Sequence, residues 1–257
     1  MRKLMTMVLL LLSHWAQAIT WRPGAVPDPL LAGAECQVNK PASYGGYIYR
    51  YPSRFDFVFW PYTDPNNIWY CEQSGYMGFM PAFEEVGAAE KPQIIQYIKD
   101  NTFNPDDLLS KIQYLEGLYA VRDLNDEFRN KLLRVFARYH QEAGLYEQAD
   151  AYRQQALAQI DSELVAGVRP ELMVVYLYLG ANYHRQFGHH SKSDEYLLRL
   201  HEGLQSIEEE SLQDLKAYLL DLAPLSQLIT PGGALEPNHE LIEQFEQQRR
   251  AAAASTE

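Results

Sequence analysis

The chain has 257 residues, with 22 Lys+Arg against 34 Asp+Glu and a formal net charge of −12. Its 47% hydrophobic and 22% charged residues exclude a mainly disordered chain and leave room for one large domain or two small ones. The acidic balance argues against a nucleic-acid partner and against a polybasic grip on anionic lipid, since both need a basic surface.

In chain order, residues 1–18 come first and differ from the rest. Arg2 and Lys3 precede an apolar run from Leu4 to Leu12, and Ala16-Gln17-Ala18 closes it with a small-x-small pattern. This is the layout of a secretory signal peptide cleaved before Ile19, with a retained anchor as the alternative. The run is well short of the ~20 apolar residues that cross a bilayer. Losing 1–18 removes Arg2 and Lys3 and no acidic residue, which takes the net charge from −12 to −14. The expectation is an exported protein, periplasmic or secreted, with no membrane span after cleavage.

Residues 19–90 read as a head. Fourteen aromatic residues fall within the 43 positions from Pro41 to Phe83. Tyr47/Tyr49/Tyr51 and Phe55/Phe57/Phe59 alternate with strand period, and Gly45-Gly46, Pro52-Ser53, Asp64-Pro65-Asn66-Asn67 and Gly75 supply turns. The expectation is a small, loop-rich β unit. Tyr44, Tyr47, Tyr62 and Trp69 are either core or an exposed face for a partner or a sugar chain, and the exposure of Trp60 and Trp69 decides between them. Cys36 and Cys71 are the only cysteines. Exported chains favour paired cysteines, so a Cys36–Cys71 disulfide is expected, contributing about 4 kcal/mol on the loop-entropy account.

Residues 91–228 read as helical. Asn104-Pro105-Asp106-Asp107 carries a capping Asn, a Pro at the first helical position and carboxylates for the positive helix end. Further helices are expected at about 125–143, 146–164, 170–187, 191–206 and 208–223, with Pro224 ending the last. The C-terminal stretch, 229–257, holds a polar helix at roughly 237–250 and an Ala-rich tail expected to fray. The fold class is therefore α+β, mostly α.

Segments 137–157 and 181–201 align without gaps at an offset of 44. Ala137/Ala181, Tyr139/Tyr183, His140/His184, Gly144/Gly188, Asp150/Asp194 and Tyr152/Tyr196 are identical. Tyr176-x-x-Leu179-Gly180-x-x-Tyr183, and Gly144-x-Tyr146-x-x-Ala149 with Ala156-Leu157, resemble the tetratricopeptide family of helical hairpins over about 105–206. The departures are an offset longer than the usual ~34 and Ser193 where Ala149 stands in the first copy. The resemblance implies a concave groove for a protein or peptide partner. Tyr139, Tyr183, Trp60 and Trp69 are the candidate partner-binding residues.

Phe55-Asp56, Asn67-x-Trp69-Tyr70-Cys71-x-x-Ser74-Gly75-Tyr76 and Phe83-Glu84 resemble an uncharacterised bacterial family. In that family a zinc-ribbon-like head of two Cys-x-x-Cys knuckles precedes tetratricopeptide-like helices. Here each knuckle keeps its first Cys only, as Cys36-x-x-Asn39 and Cys71-x-x-Ser74. What the resemblance implies is a degenerate zinc ribbon in which a disulfide has replaced the metal.

Catalytic motifs are sparse. Cys71-x-x-Ser74 as a one-cysteine redox motif lacks the helix start that would lower a thiol pKa. His184, His189, His190, Asp194 and Glu195 are a possible metal cluster, but His184 repeats His140, which points to packing. His239-Glu240-Leu241-Ile242-Glu243 lacks the second His of a zinc-protease helix. No catalytic residue, cofactor or metal is expected. The leading reading is a non-catalytic interaction protein of the bacterial envelope. The alternatives are a carbohydrate or cell-wall binder using the aromatic head, and an enzyme whose carboxylates meet only in the fold.

Overall fold

A computed structural model of the chain describes residues 19–44 and 54–254. The expected leader, and Tyr47, Tyr49 and Tyr51 of the first aromatic alternation, lie outside the described residues. Strands β1 (Ile19–Pro27) and β2 (Glu35–Tyr44) form an antiparallel hairpin, from Pro27 opposite Glu35 to Ile19 opposite Tyr44. Asp28 shapes its turn: Oδ1 accepts the N–H groups of Leu30 and Leu31 at 2.8 and 3.1 Å. A second two-stranded sheet pairs β3 (Ile68–Tyr70) with β4 (Met77–Phe79). The Cys36–Cys71 disulfide joins β2 to the end of β3, with both residues buried.

The alternation Phe55/Phe57/Phe59 does not form a strand. Residues 54–57 make a turn, and Phe57 has φ +52°. The physical reason is that the carbonyls of this stretch are taken by side chains of the helices rather than by a neighbouring strand, as shown below.

The rest of the chain is helical: α1 (Lys91–Asp100), α2 (Leu108–Ala120), α3 (Asp126–Glu142), α4 (Tyr146–Ala166), α5 (Pro170–Gln186), α6 (His190–Gln205), α7 (Gln213–Leu222) and α8 (His239–Ala254). The protein is thus α+β and mostly α, a small β head followed by a helical array. Among the described residues no helix is long and apolar enough to cross a membrane.

Three ends differ from expectation. Asn104 spends its side chain on the N–H of Asp106, 3.0 Å away, so Asp107 is the residue that caps α2, accepting from Leu109 N–H. A 3₁₀ turn at Glu210–Leu212 delays α7 to Gln213, and Pro224 opens another over Ala223–Leu228. Helix α8 carries on to Ala254, because alanine has the highest helix propensity.

The internal repeat is visible in the backbone. Helices α3 and α5 start 44 residues apart, as do α4 and α6. Both first helices end the same way. Gly144 (φ +76°) and Gly188 (φ +77°) take the left-handed conformation that glycine adopts without steric cost. Gly144 N–H bonds Gln141 O and Leu145 N–H bonds His140 O; one repeat on, Gly188 bonds Arg185 O and His189 bonds His184 O. Ala149 and Ser193, equivalent and fully buried, let the second helices approach closely.

Two apolar cores hold the molecule, and neither follows the sequence division at residue 90. One packs Val26, Cys36, Cys71, Tyr76, Phe79 and Phe83 of the head against α1 to α3. The other runs along α4 to α8 and includes Phe55 from the head.

Candidate functional site

Residues 54–59 of the head are seated on the array, bridging the first helices of the two hairpins. Asn182 Nδ2 donates to Phe55 O at 3.1 Å, and Arg134 Nη1 donates to Asp56 O and Phe57 O at 2.9 and 2.8 Å. Arg134 and Arg138 stand one helical turn apart on α3; Tyr178 and Asn182 occupy the same two positions on α5. One helix face, repeated, makes the seat. Its side chains are held in turn: Asn130 Oδ1 accepts from Arg134 Nε at 3.1 Å, and Ser226 Oγ donates to Asn182 Oδ1 at 2.6 Å. The Phe57 ring packs edge-on to Tyr178 and Phe59 and beside Tyr218.

The Asp56 carboxylate is 1% exposed and lies 3.6 Å from both Arg138 Nη1 and Arg153 Nε. Those distances make ion pairs, but neither carboxylate oxygen has a hydrogen bond, nor do Arg138 Nε, Arg153 Nε or Tyr183 Oη. Burial pushes the Tyr183 hydroxyl well above the ordinary range, and the Asp56 charge adds to this. Burial alone would lower Arg138; the charges of Asp56, Glu236 and Glu142 outweigh it and hold the guanidinium above its usual range. Glu236, 2.8 Å from Arg138, is raised by its own burial despite that cation. Arg134 is lowered by burial, which its neighbours do not offset. The site excludes water, binds carbonyls and holds one carboxylate. It presents no nucleophile with an adjacent base.

Of the four aromatic residues expected at a partner face, three are buried. Tyr183 is fully buried, Tyr139 is 5% exposed, and Trp69 is 8% exposed with its indole N–H on Asn39 O at 3.0 Å. Trp60 is half-buried. The three buried rings pack into the cores; Tyr139, for example, stacks on Phe79. Tyr62 likewise packs edge-on to Phe79.

The rings of His184 and His189 lie 5.7 Å apart, but among the described residues the histidine cluster does not converge as a set of metal donors. His184 lies against the ring of Tyr196, as its repeat partner His140 lies on Tyr152. His190 Nδ1 accepts from Arg185 at 2.8 Å, Asp194 pairs with Arg185 at 2.6 Å, and Glu195 pairs with Lys192 at 2.8 Å. Among the described residues, Asp28, Cys36 and Cys71 come within 4.8 Å as a potential donor trio, but the sulfurs are bonded to each other. Cys71-x-x-Ser74 is accordingly structural: the Ser74 hydroxyl accepts the N–H of Tyr76.

Sequence reasoning missed Arg134, Arg138, Arg153 and Asn182, which no recognised motif or spacing in the sequence singles out. A fainter signal was present: Arg134 and Arg138 interrupt Leu132, Val135, Phe136 and Ala137 on the buried side of α3.

No protein-family model, curated protein or solved structure matches this chain.

Proposed function

We propose that the protein is a non-catalytic interaction protein of the bacterial envelope, exported by its first 18 residues, whose tetratricopeptide-like array binds a segment of a partner protein. One observation carries this reading: the repeated first-helix face already holds a chain segment by reading its main-chain carbonyls, through Asn182 and Arg134. Contacts to carbonyls are indifferent to side-chain identity, so flanking groups such as Arg138 and Tyr178 supply selectivity. The test is a photo-crosslinking amino acid at Glu142, whose carboxylate pairs with Arg138 beside the seated turn. One reproducible envelope protein should crosslink there and not from the remote Glu202. An empty lane removes the reading. Recovery of a periplasmic chain beginning at Ile19 checks the export half.

The carbohydrate reading keeps one observation in its favour. A cleft of about 340 Å³ is lined by Tyr70, Phe103, Tyr114, Asn101 and Thr102, where head meets α1 and α2. Rings beside amide and hydroxyl groups suit a sugar. Binding of soluble glycan fragments, abolished by Phe103→Ala, is what this reading expects.

A further inference from the structure

Residues 54–59 fit their seat imperfectly in three respects. Phe57 holds φ +52°, a left-handed conformation that residues with a β-carbon adopt only under strain. The Asp56 carboxylate stops 3.6 Å short of two guanidinium groups and makes no hydrogen bond while fully enclosed. Around it the Nε atoms of Arg138 and Arg153 and the hydroxyl of Tyr183 also lack partners. A buried carboxylate facing two guanidinium forks ordinarily forms short charge-assisted bonds of about 2.7–2.9 Å. An unsatisfied buried polar group is costly, and this site gathers several.

We infer that the seat is built for a partner's turn carrying a glutamate between an aromatic residue and a glycine, and that residues 54–59 are its resident competitor. This rests on the reading of the array as a binding module. The chemistry follows from the geometry. Glutamate is one methylene longer than Asp56, enough to close the gap to Arg138 and Arg153. The carbonyl contacts from Asn182 and Arg134 are available to any chain, and Tyr218 takes an aromatic residue three places after the acid, as it takes Phe59. The residue at the Phe57 position is freed of strain when it is glycine. A partner segment that makes the missing bonds therefore displaces the turn, and residues 54–59 leave α3 and α5 as it binds.

The probe is a fluorescein-labelled peptide, Arg-Phe-Glu-Gly-Val-Phe, with Gln-for-Glu and Asp-for-Glu versions, titrated by anisotropy against the full chain. The receptors are the wild type, the Phe57→Ala variant and the milder Asp56→Asn variant, each checked for native helical circular dichroism. Both variants weaken the resident turn, so each should bind the Glu peptide at least tenfold more tightly than the wild type. Replacing Glu by Gln should cost at least tenfold in affinity, and Asp should rank between them. Equal binding of Glu and Gln peptides, or no binding by a folded Asp56→Asn chain, overturns the inference. So does a wild-type chain that elutes as a segment-exchanged dimer, since the occupant is then a second copy. If the peptide binds but crosslinking from Glu142 yields no envelope protein, the seat's chemistry stands and the interaction-protein reading falls. Crosslinking without peptide binding gives the reverse.

Discussion

The two helical hairpins, α3/α4 and α5/α6, share a frame and differ in what they do with it. Their common residues shape the frame: Gly144 and Gly188 turn the chain, and His140 and His184 each meet a tyrosine of the following helix. Their differences fall on the seat. Where the first hairpin has Arg134, Arg138 and Arg153, the second has Tyr178, Asn182 and Leu197 at the corresponding positions. The first is thus a cationic grip on carbonyls and a carboxylate, the second an amide and an aromatic wall. In this protein, repetition fixes geometry, and divergence within the repeat gives the seat a direction.

Breaking the charge should show this asymmetry most strongly. Asp56→Ala leaves Arg138 and Arg153 buried without their shared carboxylate, and losing one side of a buried pair costs about 3–5 kcal/mol. Urea unfolding should show that loss, and amide exchange should show it first in α3 and α4. Equal loss of protection in α5 and α6 would erase the distinction between the hairpins.

Gly180→Ala comes next. A β-carbon there overlaps the Tyr196 ring, for a cost of about 1–3 kcal/mol. The equivalent position in the first hairpin is Phe136, which packs its ring beside Tyr152 instead. The double change Gly180→Ala/Tyr196→Ala should therefore cost less than the sum of the single changes.

The two turn glycines are the control. Gly144→Ala and Gly188→Ala each force a left-handed alanine, costing roughly 1–2 kcal/mol, and neither new methyl meets a closer neighbour than Pro231 Cβ at 3.8 Å. Thermal melts should show nearly equal losses. A large difference would mean the two caps are not equivalent.

The smallest effect concerns pH. Burial lowers the pKa of His184 below its ordinary value of 6.5, so the folded chain prefers the neutral ring. The unfolded chain then binds the extra proton. Stability from this group is full above about pH 6.5 and declines as pH falls toward the lowered folded value. His184→Gln should flatten the fall in melting temperature between pH 7 and pH 5.

The sequence made the frame legible and the seat illegible. Helices α3 to α6 follow from apolar spacing, caps and turn glycines, all of them local signals. The disulfide follows from the cysteine count together with the expectation of export. Asp56, Arg134 and Asn182 lie up to 126 residues apart in the chain, and no local pattern joins such groups. Phe55, Phe57 and Phe59 were read as a strand because alternation carries no information about what captures the carbonyls. Trp69, Tyr139 and Tyr183 looked available because aromatic density says nothing of depth.

The disulfide acquires a second meaning from the position of the turn. Cys36 and Cys71 close a covalent ring, and residues 54–59 ride near its far side. A ring explores less space than an open chain, so the tethered turn meets its seat at a higher effective concentration than the same residues on a severed loop. Oxidation of two sulfurs in the head thus sets how firmly the turn is held against α3 and α5. A thiol reductant should loosen α3 and α5 from the turn without touching a residue of either helix.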